Sequence, residues 1–135
     1  MKIETIAVRV GRDIEPAFAT FAEHKVQAIL VGAGGLLTSN RNTIVALAAR
    51  DRLPANYSVR EFADAGGLMS YGTSIKDAYR QVGLYAGRIL KGEKPGDLPV
   101  VQAAKFEFII NLKTAKALGL EFNPQLLATA DEVIE

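Results

Sequence analysis

The spacing of apolar residues along this chain changes several times between two and three to four positions. Residues 6–10 alternate apolar and polar side chains, which predicts a strand with one better-buried face. Residues 14–25 follow the spacing of one helical face, and Asp13 is placed to cap that helix. The continuous apolar run Ala28–Val31 is typical of a central strand in a parallel sheet. The glycine-rich turn Gly32–Gly35 ends that run.

The same alternation continues to the carboxyl end. The further elements that we predict are, in chain order, a helix with a buried face at Ile44, Leu47 and Ala48, a strand at 55–57, a short helix opened by a capping box at 58–61 and ended by Gly66 and Gly67, a strand at 68–71, a long helix at 74–91, a strand at 105–110 and a short helix capped by Asn111. This order predicts an α/β fold in which helices cover both faces of a mostly parallel sheet.

Composition narrows the class of protein. A chain of 135 residues with 49% hydrophobic and 23% charged side chains is long enough for a single globular unit over 1–135. A net charge of +1, with basic residues scattered, argues against nucleic acid as a partner. The chain has no cysteine, and its longest apolar stretch is shorter than the roughly 20 residues of a membrane-spanning helix. No signal-peptide pattern follows Met1.

Candidate ligand contacts cluster at strand ends. In parallel sheets ligands bind beyond the carboxyl ends of the strands, so the loops at 32–38, 57–58 and 71–74 are expected along one edge. Tyr71 stands at such an end between Ser70 and Gly72, where its ring either stacks on a ligand or simply packs.

Two kinds of chemistry are weaker alternatives. The turn Gly32–Gly35 partly fits a dinucleotide-binding motif, but its third glycine would fall at Leu37, and no carboxylate follows the next strand. A plain strand-to-helix turn explains the same residues. For catalysis, the one histidine, His24, lies at a predicted helix end, and the carboxylates are spread over caps and helix faces. We therefore expect no catalytic residue, no metal site and no cofactor.

Several longer stretches carry a resemblance to a known family. Residues 66–72, 77–81, 85–92, 95–100, 106–120 and 128–135 resemble the carboxyl-terminal half of ABC-transporter substrate-binding proteins, a family that includes tryptophan-binding members. The resemblance implies a type I periplasmic-binding-protein-like fold, in which two α/β lobes close on a small solute outside the cytoplasm. The solute then passes unchanged to an ABC permease. The chain resembles one lobe, so the expected missing parts are the amino-terminal lobe and a signal peptide.

The resemblance also suggests a set of ligand contacts. Where relatives carry Ala-Asp-Pro-Phe-Phe, this chain has residues 33–37, so Gly34 replaces an acidic residue that could pair with a solute ammonium group. This difference argues against an amino acid and leaves a small polar or aromatic solute. The candidate contacts are Gly34, Gly35, Thr38, Ser39, Tyr57, Tyr71 and Gly72.

The resemblance assigns the long helix at 74–91 to packing on the missing lobe. Its apolar face would then lie in water, and exposed apolar surface favours association. We therefore predict a homodimer or higher assembly in which this helix packs on its copy or swaps between chains. The residues of that face are Ile75, Tyr79, Val82, Ala86 and Ile89. A fragment that binds no ligand is the third hypothesis, besides a solute-binding lobe and a nucleotide-binding enzyme domain.

Overall fold

The computed structural model describes residues 2–102 and 105–135. Its strands are β1 (Ile29–Val31), β2 (Ala55–Tyr57), β3 (Met69–Thr73), β4 (Phe106–Asn111) and β5 (Glu132–Ile134). Its α-helices are α1 (Ile14–Glu23), α2 (Gly35–Ser39), α3 (Arg41–Arg50), α4 (Arg60–Asp64), α5 (Ile75–Leu90), α6 (Leu112–Leu118) and α7 (Pro124–Leu127). Short 3-10 turns occupy Gly11–Asp13 and Pro95–Asp97.

The five strands form one sheet in the order β1-β2-β3-β4-β5. β1, β2 and β3 are mutually parallel, β4 is antiparallel to β3, and β5 is parallel to β4. The predicted α/β class with a mostly parallel sheet is therefore confirmed. β5 is a strand that the sequence pattern does not predict.

The main core lies between one face of the sheet and α1, α3 and α4. It contains the buried side chains of Ile14, Phe18, Ile29, Ile44, Val45, Leu47, Ala48, Ala55, Tyr57 and Phe62. The other face is less covered, because Leu30 and Tyr71 on that face are 77% and 57% exposed. Helix cover is thus uneven: the face that carries the core is closed, and the second face is open near β1 and β3.

Local signals set several helix ends where the sequence predicts them. The Ser74 hydroxyl accepts a hydrogen bond from the Asp77 N–H at 3.3 Å, which caps α5. The Asn111 side chain accepts from the Thr114 N–H at 3.2 Å and caps α6 in the same way. α6 ends at Gly119, whose φ of 71° lies in the left-handed region that glycine favours.

The amino-terminal prediction of a strand at 6–10 is wrong. These residues join no strand ladder, although Ile6 and Val8 are half-buried and their neighbours are exposed. The alternating pattern of residues 6–10 therefore reflects contact of one side of this segment with the core, and the segment is not a strand of the sheet. The same finding makes β1 an edge strand within the described sheet, where the sequence predicted a central one.

The predicted capping box at residues 58–61 does not form. The chain stays extended through Val59, with φ −141° and ψ 147°, so the cap position of α4 is Val59 and not Ser58. The hydroxyl of Ser58 lies one residue too early to reach the first turn of the helix. That hydroxyl is buried and has no hydrogen-bond partner among the described residues.

Helix α5 contributes no buried residue to the structure. Its apolar stripe is exposed at Ile75 (41%), Tyr79 (73%), Val82 (64%) and Ile89 (40%), and Ala86 on the same stripe is also exposed. Ion pairs on α5, such as that between Arg80 and Asp77 at 3.0 Å, lie beside this stripe. Within the described residues, no helix combines the length and apolar character needed to cross a membrane.

Candidate functional site

The carboxyl ends of β1, β2 and β3 form one edge of the sheet. Val31 pairs in register with Tyr57, and Tyr57 pairs with Ser70. The loops after β1 and β2 therefore start at the same level of the sheet as Tyr71. The predicted loop at 71–74 is wrong as a loop, because β3 continues to Thr73 through its pairing with β4, but these residues still lie beside the other two loops. We call this region the carboxyl edge, and it comprises residues 32–39, 58 and 71–74.

The glycine turn forms the first part of the carboxyl edge. Gly34 has an extended backbone with φ 169°, and a Cβ atom at Gly34 or Gly35 would meet nothing within 4 Å. The Thr38 hydroxyl donates to the Gly34 carbonyl at 3.1 Å, which fixes the turn from inside. Gly34, Gly35 and Ser39 are exposed. The turn thus offers open backbone and hydroxyl groups to solvent.

At the carboxyl edge, β3 passes in very close contact with the residue that follows β2. A Cβ atom at Gly72 would lie 1.9 Å from the Ser58 carbonyl oxygen, far inside the contact distance of real atoms. Glycine at position 72 therefore lets the end of β3 pass against the end of β2. This contact gives Gly72 a packing role whether or not it touches a solute.

Tyr71 brings an aromatic surface to the open face of the sheet. Its ring stacks on Phe106 with centroids 5.8 Å apart, and it meets Phe108 edge-on at 6.1 Å. Tyr71 and Phe106 are 57% and 50% exposed. We call Tyr71, Phe106 and Phe108 the aromatic patch. Sequence reasoning missed the two phenylalanines, although their alternation around Glu107 is visible in the sequence, because only the antiparallel pairing of β3 with β4 brings them to Tyr71.

The structure corrects the prediction that the Tyr57 ring contacts a solute. Tyr57 is 1% exposed, and its ring stacks on Phe62 with centroids 4.5 Å apart. Burial raises the pKa of its hydroxyl to about 12. Tyr57 and Tyr71 both stand near strand ends, but their side chains point to opposite faces of the sheet, since Tyr57 pairs with Ser70 and not with Tyr71.

Several polar side chains lie near the carboxyl edge, on the face of the sheet that the helices cover. The Ser74 hydroxyl donates to Glu107 Oε1 at 2.8 Å, which joins the start of α5 to β4. The buried oxygen atoms Ser58 Oγ, Ser70 Oγ and Glu61 Oε2 have no hydrogen-bond partner among the described residues. Over the same residues, no group of three or more His, Asp or Glu side chains is arranged to hold a metal ion.

The histidine lies elsewhere in the structure. His24 Nδ1 is 2.5 Å from Glu4 Oε2, and this pair ties the amino-terminal segment to the end of α1. Hydrogen bonds from Lys2 and His24 hold the pKa of the Glu4 carboxyl below its usual range. These groups join two pieces of chain, and none belongs to the carboxyl edge. The carboxyl edge itself offers an aromatic ring for stacking and exposed backbone and hydroxyl groups for hydrogen bonding.

One family model matches this chain, and several known proteins are similar to it. The model of the family described as ABC transporter substrate binding protein matches residues 1–134. A tyrosine-binding protein of Clostridioides difficile is 27% identical over 97 residues, which are 72% of this chain and 28% of that protein. An ABC domain from Streptococcus pneumoniae, solved in complex with L-Trp, superposes with a TM-score of 0.88 at 30% identity.

Further solved structures share the fold at lower identity. A conserved domain protein from Vibrio cholerae gives a TM-score of 0.85 at 23% identity. The ligand-free, open structure of a Clostridium difficile substrate-binding protein with adhesive properties gives 0.66 at 20% identity. These two structures and the S. pneumoniae domain match 95–98% of this chain but only 43–44% of their own. The chain thus spans less than half the length of the solved structures that it matches.

Proposed function

Because this chain belongs to the ABC transporter substrate-binding protein family, we propose that it is a solute-binding part of an import system. It binds a small solute without chemical change, outside the cytoplasm, and the complete binding protein delivers that solute to an ABC permease. The exposed ring of Tyr71 at the carboxyl edge is the observation that carries this proposal. An aromatic ring on an open surface suits a flat solute.

The proposed solute is an aromatic carboxylate. The aromatic patch supplies a stacking surface, and the two similar proteins named after tyrosine or solved with L-Trp support an aromatic solute. The exposed backbone at Gly34 and Gly35 suits a carboxylate, because an N–H group donates to an anion. Gly34 carries no acidic group to pair with an ammonium ion. These features favour an aromatic acid over the corresponding amino acid.

A fluorescence titration tests this proposal directly. The chain contains no tryptophan, so the indole of an added solute can be excited selectively at the long-wavelength edge of its absorption band, where the four tyrosines absorb very little. We expect indole-3-acetate to bind saturably and more tightly than L-tryptophan. Affinity will be weak, because one lobe supplies only part of the contacts that a closed cleft would provide. Equal binding of both solutes, or binding of neither, would contradict the proposed solute class.

A matched variant sharpens the test. Gly34→Asp places a carboxylate in open space on an extended backbone, so it should fold normally. An exposed charge pair is worth roughly 0.2–1 kcal/mol, so we expect the preference to shift toward L-tryptophan by up to about fivefold. Ala33→Asp places the same charge on the neighbouring exposed residue and serves as the control. If Gly34→Asp leaves the preference between indole-3-acetate and L-tryptophan unchanged, this turn does not contact the solute.

We also propose that the chain self-associates through α5. The residues Ile75, Tyr79, Val82, Ala86 and Ile89 recur at intervals of four and three, which is the spacing of an apolar seam between two helices. All five side chains are exposed, and α5 contains no buried residue. A second copy of α5 offers the same seam, so that two copies cover both apolar stripes.

A further inference from the structure

The exposed ring of Tyr71 lies between two aromatic side chains of β4. Phe108 pairs directly with Tyr71 in the antiparallel ladder. Phe106 lies two positions earlier in β4, on the same face of the sheet. The Phe106 ring is nearly parallel to the Tyr71 ring, with an interplanar angle of 16°, whereas the Phe108 ring meets it at 76°. Tyr71 therefore has an offset-stacked neighbour against one face and an edge-on neighbour at its side.

Hydrogen bonds to Asp131 fix the backbone of Phe108. The Phe108 N–H donates to Asp131 Oδ2 at 2.8 Å, and the Phe108 carbonyl accepts from the Asp131 N–H at 2.8 Å. Both backbone polar groups of Phe108 therefore point away from β3. Phe108 and Tyr71 thus form a non-hydrogen-bonded pair, in which the side chains approach each other more closely than in a hydrogen-bonded pair.

Ser74 fixes the position of Phe106 through both of its neighbours in β4. The Ser74 N–H donates to the Lys105 carbonyl at 2.9 Å, and the Ser74 hydroxyl donates to Glu107 Oε1 at 2.8 Å. Ser74 is 3% exposed, so water competes little for these hydrogen bonds. The backbone that carries Phe106 is therefore held in place, although the residue itself is 50% exposed.

The two phenylalanines leave one face of the Tyr71 ring free. Tyr71 is still 57% exposed with both neighbours in place. Phe106 belongs to β4, so it lies on the side of Tyr71 that is away from β2 and β1. The face turned away from Phe106 is therefore on the side of the sheet where Ser58 and the glycine turn complete the carboxyl edge.

We propose that Phe106 is a positioning residue for the solute site, an inference that rests on the proposed function. By covering part of one face of the Tyr71 ring, Phe106 limits the rotation of that ring and directs the solute to the opposite face. A ring that is already ordered loses less conformational entropy when a solute stacks on it, so the solute binds more tightly. In this role Phe106 acts through Tyr71 and need not touch the solute.

A double-mutant cycle with indole-3-acetate as the probe tests this role. Phe106→Leu removes the ring but keeps an apolar side chain, and we expect it to weaken binding by about two- to fivefold in the indole fluorescence titration. Phe106→Tyr keeps the ring and should retain the wild-type affinity. In the Tyr71→Ala background, Phe106→Leu should cause no further loss, because the ring that Phe106 positions is absent.

Two controls separate this role from a general effect on the fold. Tyr79→Leu removes an exposed ring from α5 and should leave the affinity unchanged. Circular dichroism melting of each variant verifies that it folds, and Phe106→Met, which also lacks the ring, replaces Phe106→Leu if that variant does not fold.

The possible results distinguish this inference from the proposed function. If Phe106→Leu binds indole-3-acetate as tightly as the wild type while Tyr71→Ala binds it more weakly, the role of Phe106 is overturned and the proposed function stands. If the losses of the two variants multiply in the double variant, Phe106 acts independently of Tyr71, which also overturns the inference. Absence of binding by the wild type would overturn the proposed function, and this inference with it.

Discussion

Glycine at position 72 determines how closely the ends of β2 and β3 approach each other at the carboxyl edge. The atom that a larger side chain would strike is the Ser58 carbonyl oxygen, which belongs to the backbone and cannot rotate aside. Any substitution therefore has to push β2 and β3 apart at their ends. Since Tyr71 directly precedes this contact, the position of its ring depends on a residue that carries no side chain.

Gly72→Ala tests this close approach. We expect the variant to lose about 1–3 kcal/mol of unfolding free energy or more, because overpacking forces backbone shifts. Urea unfolding followed by circular dichroism measures the loss. Gly83→Ala in α5 is the control: its Cβ meets nothing within 4 Å, and alanine favours a helix over glycine by about 1 kcal/mol. Equal stability of Gly72→Ala and the wild type would refute the contact.

The two tyrosines at strand ends show what the sequence could not decide. The sequence makes both Tyr57 and Tyr71 candidate contacts, yet Tyr57 is 1% exposed and Tyr71 is 57% exposed. A shift of one residue in a strand turns a side chain to the opposite face, so the choice depends on the exact register. The aromatic neighbours of Tyr71 come from β4, more than thirty positions later in the chain, and short-range patterns carry no such information.

Tyr71 is also the residue on which the proposed stacking depends. Replacing it by alanine should weaken an aromatic solute by about three- to tenfold, because an aromatic pair is worth roughly 0.5–1.5 kcal/mol beyond burial. The indole fluorescence titration measures this change. Tyr79→Ala is the matched control, because it removes an aromatic ring from α5 at a residue that is 73% exposed. It should leave solute affinity unaltered. Similar losses in both variants would speak against a specific role for Tyr71.

At the scale of elements, an ion pair connects α4 with β5. Arg60 donates from Nη1 and Nη2 to the two carboxylate oxygens of Glu132, at 2.7 and 3.0 Å. Its Nε also donates to Asp64 at 3.1 Å. These hydrogen bonds hold the pKa of the Glu132 carboxyl below its ordinary value of 4.5. The contact joins residues 72 positions apart and fixes the last strand against the helix.

This pair predicts a dependence of stability on pH. A carboxyl whose pKa is lowered by folding stabilises the protein above its unfolded pKa, and that contribution disappears as the pH falls through the folded pKa. We expect the melting temperature to fall below pH 4.5, and Glu132→Gln to reduce that fall. Glu121→Gln, at an exposed site, is the control. An identical acid response in the wild type and Glu132→Gln would contradict this role.

Elements differ in how well the sequence predicts them. α5 and α6 carry local signals, a side-chain cap at Ser74 or Asn111 and a glycine just past the end, and both lie where predicted. Residues 6–10 have the alternation of a strand, but a strand also needs a neighbour, which the sequence pattern does not reveal. For the same reason β1 has the composition of a central strand while it lies at the edge of the described sheet.

At the scale of the whole molecule, the apolar stripe of α5 predicts self-association. Val82 is 64% exposed near the middle of the stripe, so Val82→Lys should weaken the assembly by about tenfold or more. Leu84→Lys is the matched control, because at 100° per residue position 84 lies on the opposite side of the helix. Sedimentation velocity over a concentration series distinguishes the two. A wild type that stays monomeric throughout would exclude association through α5.

The proposed function depends above all on the binding of an aromatic solute at the carboxyl edge of this chain. An NMR titration of ¹⁵N-labelled protein with indole-3-acetate tests it most directly, since each amide reports its own surroundings. We expect saturable shifts at Gly34, Gly35, Ser39 and Tyr71, with α5 and α7 unaffected. Shifts confined to other parts of the chain, or none up to the solubility limit of the solute, would contradict it.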